Sequence, residues 1–167
     1  MTDFFPTHGR LLGLDYGSKR VGVAVSDVEQ RIAAAVSVIS RSSARGDARA
    51  LTRIVDDNQP AGLVVGLPVF TSGDEGTQAG RAREFGAWAG RTLGLPVRYW
   101  DERHSSTIAE GYLIGAGISE KKRKGRLDAL AAQVMLQAYL DAADRSRWDR
   151  GSSGSHRMPP ERKEPEP

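Results

Sequence analysis

Large and small residues alternate with period two through "RVGVAVSD", where Val21, Val23 and Val25 are interleaved with Gly22, Ala24 and Ser26. One face of this segment is bulky and apolar, and the other is nearly bare. The pattern predicts a strand with something packed close against its small side. "RLLGLDYG" before it reads as a strand that ends in a turn at Gly17. "RIAAAVSVIS" after it reads as a weaker strand, because alanine is a poor strand former. Three strands joined by short turns suggest an antiparallel meander.

The period then lengthens. From Ala44 to Gln59 the apolar residues Ala48, Leu51, Ile54 and Val55 recur at helical spacing, and Pro60 stops the helix. "AGLVVGLP" is a short continuous apolar run, the pattern of a central strand buried on both faces. The loop "VFTSGDEG" leads into a second helix ending near Gly94, and "LPVRYWDE" supplies a fifth strand. "SSTIAEGYLIGAG" reads as a short helix opened by serine and closed by glycine. After a basic loop, "RLDALAAQVMLQAYLDAAD" is the most strongly helical segment. The order predicts an α/β fold with a five-stranded mixed sheet and helices on both faces. The expected domain spans residues 1–146. Residues 147–167, rich in Gly, Ser, Pro and alternating charge, are expected to be a disordered tail.

Composition narrows the chemistry more than the fold. The absence of cysteine removes disulfides, thiolate metal sites and cysteine nucleophiles together. No apolar run approaches the roughly 20 residues of a membrane span, and no signal-peptide pattern opens the chain, so a soluble cytoplasmic protein is expected. The net charge of +3 is mild, but its distribution is uneven. Lys121, Lys122, Arg123, Lys124 and Arg126 put five of the 24 basic residues into six positions. Such a cluster neutralises phosphates or simply faces solvent.

Three carboxylates stand where acid is unexpected. Asp15 lies in the first strand, Glu102 ends the fifth beside Asp101, and Asp128 is the only charged residue between Arg126 and Asp141. Each has an ordinary explanation: a turn acid for Asp15, a loose pair with Arg98 or Arg103 for Glu102, and a helix-start acid after Gly125 for Asp128. A sheet with the first strand central is expected to bring all three to one edge. Two such charges about 4 Å apart repel by roughly 4 kcal/mol at an effective dielectric near 20, which a bound cation relieves. Oxygen-only ligands suit Mg²⁺ or Mn²⁺, and such ions support phosphodiester hydrolysis without a side-chain nucleophile. His104 is the one histidine near these acids. No G-x-S-x-G elbow is present, which disfavours a serine hydrolase.

"GLDYGSKRVGVAVSD", "VVGLPVFTSGDEG", "DERHSST" and "GRLDALAAQVMLQAYLD", in that order, resemble the YqgF family, called RuvX in mycobacteria. That family belongs to the ribonuclease H-like superfamily and is related to the resolvase RuvC. The resemblance implies a ribonuclease H-like fold and a nuclease site holding one or two Mg²⁺ or Mn²⁺ ions. The family's acids fall on Asp15, Glu102 (with Asp101 as an alternative) and Asp128. Lys19, Arg20, Arg103 and the Lys121–Arg126 run would contact nucleic acid. The implied activity is 5′-end processing of pre-16S ribosomal RNA, or Holliday junction resolution by a two-fold dimer. Resolvases of the RuvC type carry a further ligand about one turn before the last acid, where this chain has Gly125. Two other readings remain open. One is a structured RNA- or DNA-binding protein that does not cut. The other is an ATP-binding half of the sugar kinase type, for which one domain is too short.

Overall fold

The computed structural model describes residues 4–68, 76–101 and 120–142, with only the backbone described for 120–126. The elements are β1 (Leu11–Tyr16), β2 (Arg20–Ser26), β3 (Ala33–Ser40), α1 (Ala44–Asn58), β4 (Gly62–Leu67), α2 (Thr77–Leu93), β5 (Val97–Asp101) and α3 (Glu120–Asp141). The sheet order is β3-β2-β1-β4-β5. β1 to β3 form the antiparallel meander, while β4 joins β1, and β5 joins β4, in parallel. This is the five-stranded mixed sheet expected of a ribonuclease H-like fold, with β1 at its centre. The short helix expected within 105–117 and the tail expected from 147 lie outside the described residues.

The helix ends follow local chemistry. Ser43 caps α1, its Oγ accepting the Gly46 amide at 3.1 Å. Gln59 closes α1 in the left-handed region at φ 50°, immediately before Pro60. Gly94 does the same for α2 at φ 67°, where glycine carries no Cβ penalty.

Helices cover both faces of the sheet. α1 and α2 enclose one core around Leu12, Leu14, Val21, Val23, Leu51, Val65 and Phe85. α3 encloses the other, with Leu11, Ala24, Val64, Trp100, Met135, Leu136 and Tyr139. The stripe Ala132, Met135, Leu136 and Tyr139 is buried against the sheet, each large side chain contributing about 1.5–3 kcal/mol. Gln133 and Gln137 fix the position of α3 along the edge strand. Gln137 Oε1 accepts the Ala33 amide at 2.9 Å, and Gln133 Nε2 donates to the Ala33 carbonyl at 3.2 Å.

The small face of β2 meets a close neighbour, as its alternation predicts. A Cβ on Gly22 would lie 2.0 Å from the Asp128 carbonyl oxygen and 3.3 Å from the Ala132 Cβ. Only glycine permits this approach. The basic run differs from expectation. Lys121 to Arg126 belong to the first turns of α3, which starts at Glu120, and do not form a loop. Asp128 is therefore not at a helix start, so the dipole explanation for it falls away.

Candidate active site

Asp15 sits near the C-terminal end of the central strand. Its backbone partners are Gly22 on β2 and Gly66 on β4. Strand alternation assigns its face. Leu12 and Leu14 enter the α1–α2 core, Leu11 enters the α3 core, and Gly13 lies against Leu136. Asp15 shares the face of Leu11 and Gly13, toward α3. Both cross-strand neighbours of the half-buried Asp15 are glycines, and Gly22 is covered by the Asp128 main chain. Gly22 is legible in the sequence as part of a small face. Gly66 is not, because it interrupts an apolar run whose register is unknown until the strands pair.

Asp128 reaches the same place from the helix. It occupies the end of the α3 stripe, four residues before Ala132, where the pattern would otherwise call for an apolar side chain. Its main chain rests on Gly22, the direct cross-strand partner of Asp15. The fold thus brings Asp15 and Asp128, 113 positions apart, to one face and one end of the sheet. Arg20 Nε donates to Asp128 Oδ2 at 2.5 Å. About one third of each side chain is exposed, so the pair is partly screened. Its value lies in charge balance, since the guanidinium offsets the Asp128 carboxylate.

Arg20, expected to contact nucleic acid, is paired with Asp128 in the free protein. Lys19 is exposed in the β1–β2 turn, and its carbonyl accepts the Arg41 amide at 2.8 Å. Gly17 keeps that turn tight, because a Cβ there would meet the Arg20 carbonyl oxygen at 2.5 Å. Of the D-E-R motif, only Asp101 is described. Val97 and Tyr99 pack on the α2 side and Trp100 on the α3 side, so alternation turns Asp101 away from the face of Asp15. Glu102 and Arg103 lie outside the described residues, as do the side chains of Lys121, Lys122, Arg123, Lys124 and Arg126. Among the described residues, no group of three potential metal ligands converges.

The described part of the site fits a hard cation. It offers the carboxylates of Asp15 and Asp128 at one end of one face, with Arg20 paired to Asp128. Asp27, at the opposite end of β2, is acidic for a different purpose. Its Oδ1 accepts the amides of Arg31 at 2.7 Å and Ile32 at 3.0 Å. These bonds, that from Ile32 foremost, hold its carboxyl below the ordinary value. It is a turn residue.

Comparison with known proteins gives a consistent family. The family model described as RuvX, Holliday junction resolvase, matches residues 9–142. A relative from Koribacter versatilis, named "Putative pre-16S rRNA nuclease", is 40% identical over 134 residues, covering 80% of this chain and 88% of the relative. One of the same name from Caldanaerobacter subterraneus subsp. tengcongensis is 42% identical over 138 residues, covering 82% of this chain and 99% of the relative. Among solved structures, "T. thermophilus RuvC in complex with Holliday junction substrate" aligns with a TM-score of 0.49 and 21% identity, covering 82% of this chain and 99% of that one.

Proposed function

This chain belongs to the RuvX family, and from that premise we propose that it is a divalent-metal-dependent nuclease hydrolysing phosphodiesters of nucleic acid. The observation that carries the reading is that Asp15 and the Asp128 main chain both flank Gly22, with Arg20 paired to Asp128. Asp15, Asp128 and Glu102 would hold one or two Mg²⁺ or Mn²⁺ ions. Asp101 is set aside because it faces the other side of the sheet. When bound, the ion supplies Lewis-acid activation of water and of the phosphoryl oxygens.

The chain's own residues bind and orient the strand. Gly22 lets the Asp128 main chain approach closely enough to stand beside Asp15. Arg20 is within reach of both an acid and an incoming phosphate, and its guanidinium balances whichever carries the greater charge. Lys19, Arg103 and the basic first turns of α3 neutralise flanking phosphates. In the hydrolysis, a water oxygen bonds to phosphorus, the bridging P–O bond breaks, and the leaving oxygen takes a proton.

The proposed substrate is the 5′ end of a pre-16S ribosomal RNA, which the names of the relatives favour. A four-way DNA junction is the second reading, favoured by the family model's description. It carries the expectation of a two-fold dimer. The proposed location is the cytoplasm, and among the described residues no helix is long and apolar enough to cross a membrane. The two substrates are separated by presenting a labelled precursor-end RNA and a labelled four-way junction with Mn²⁺ under single-turnover conditions. Faster cleavage of the RNA is expected. Faster, symmetric cleavage of the junction would replace the first substrate with the second, and cleavage of neither would remove the nuclease reading.

A further inference from the structure

The face of β1 opposite Asp15 carries a cavity that the nuclease site does not use. Tyr16, the next residue after Asp15, opens onto it. Its volume is about 300 Å³, within the range of small-molecule sites. Tyr16, Phe85 and Trp88 form its aromatic wall. The Tyr16 and Phe85 ring centroids are 5.2 Å apart at 41°, and those of Phe85 and Trp88 are 5.7 Å apart at 37°. The Arg41 guanidinium lies over both Tyr16 and Phe85, at 5.2 and 5.4 Å. It is held there by the Tyr16 hydroxyl at 3.1 Å and Asp47 Oδ2 at 3.4 Å. The cavity thus has one aromatic wall, fixed by these contacts, and polar residues around the rest.

Its charge tells which ligand suits it. Arg41 and Arg81 are offset by Asp47 and Glu84, so the lining has no net charge. Asp47 is buried and already engaged by Arg41 and the Ser42 amide at 2.9 Å. The accessible charged groups are Arg81 and Glu84, which stand with Phe85 and Trp88 on one face of α2 at helical spacing, and Ser42 is exposed across from them. A phosphate would meet Glu84 as a like charge. A neutral heteroaromatic ring would stack on the wall and use Glu84 as acceptor and Arg81 as donor. Unpaired bases are recognised in this way, by aromatic or guanidinium stacking together with edge hydrogen bonds.

The Arg41 amide is bonded to the Lys19 carbonyl, so the cavity is fastened to the turn that leaves Asp15. A strand whose phosphate lies at Asp15 and crosses that turn brings a neighbouring nucleotide to the Tyr16 side. We propose that this cavity seats one unpaired nucleobase beside the cleaved phosphodiester. The proposal rests on the nucleic-acid reading above and adds to it that the substrate is single-stranded next to the cut.

The test uses the full chain without divalent metal and labelled hairpins of RNA and of DNA with a single-stranded extension. An abasic residue is placed at successive positions along the extension, and affinity is read by fluorescence anisotropy. In the wild type, one position is expected to lose about 5- to 150-fold, the range of one base–aromatic stack. Trp88→Leu should bind intact and abasic hairpins alike at that position. Arg81→Ala, on an exposed turn where folding is not at stake, should shrink the loss. The effect with either hairpin supports the seat. Equal affinity at every abasic position, or an undiminished loss in both variants, overturns it. Mn²⁺-dependent cleavage of the intact hairpins is measured in parallel. Cleavage without a position effect refutes the seat alone, and a position effect without cleavage refutes the nuclease reading alone.

Discussion

Gly22→Ala places one methyl group where the structure has none to spare. The added Cβ would lie 2.0 Å from the Asp128 carbonyl oxygen and 2.7 Å from its carbonyl carbon. These are backbone atoms, so no side-chain rotation relieves the contact, and α3 must lift from the sheet. Overpacking of this kind costs about 1–3 kcal/mol. The intrinsic preference for alanine over glycine returns about 0.5–1 kcal/mol. The net loss is then up to about 2.5 kcal/mol, or up to roughly 10 °C in melting temperature for a chain of this size. Gly80→Ala is the matched control, since a Cβ there meets nothing within 4 Å in the early part of α2. It should gain about 0.5–1 kcal/mol. The two variants are compared by thermal melting and by Mn²⁺-dependent cleavage. Gly22→Ala should also lose activity out of proportion to its stability, because a shift of about 1 Å in a catalytic group costs on the order of 100-fold. If Gly22→Ala melts at or above the wild type and cuts normally, α3 does not rest on β2 as described.

Arg20→Gln removes the countercharge of Asp128 at a modest stability cost of about 0.2–1 kcal/mol, given the pair's exposure. Its melting temperature should rise more with added Mn²⁺ than that of the wild type, and an equal rise would show that Arg20 does not compete with the cation. Neutralising Lys121, Lys122 and Lys124 together should reduce the slope of log affinity against log salt by about 2–3, at roughly 0.7–0.9 per phosphate contact. An unchanged slope would take the first turns of α3 out of the interface. Asp27 is held below its ordinary value of 3.8 by the Ile32 and Arg31 amides, so it contributes stability above that value and loses it as pH falls through the depressed one. Urea midpoints taken downward from about pH 5 should therefore fall less steeply for Asp27→Asn than for the wild type; parallel curves would mean that the turn does not couple to folding.

Local pattern explains why much of the fold was legible. The bare face of Gly22, Ala24 and Ser26 announced a close neighbour before α3 was known to be that neighbour. The continuous run through Leu63, Val64 and Val65 marked a strand enclosed by both cores. The basic run was misread because Gly125 and dense like charge both weaken a helix. Lys and Arg are nonetheless good helix formers, and a helix starting at Glu120 carries the run without a break. That misreading also made Asp128 look like a helix-start acid. The candidate acids were visible one by one as misfits in apolar settings. The Arg20–Asp128 pair was not, because its partners are 108 positions apart and meet only after α3 crosses the meander. The aromatic cavity was hidden for the same reason, being assembled from the end of β1, the segment after β3 and one face of α2.

The central claim is that Asp15 anchors a metal-dependent nuclease site. It is tested most directly by single-turnover cleavage with Mn²⁺, comparing the wild type with Asp15→Asn, while binding of the same substrate is measured without metal. The substitution keeps the size of the side chain and removes its charge. Cleavage should fall by at least about 100-fold, the cost of displacing or weakening a group at the reacting centre, with binding retained. An Asn variant that cuts as fast as the wild type would contradict the account.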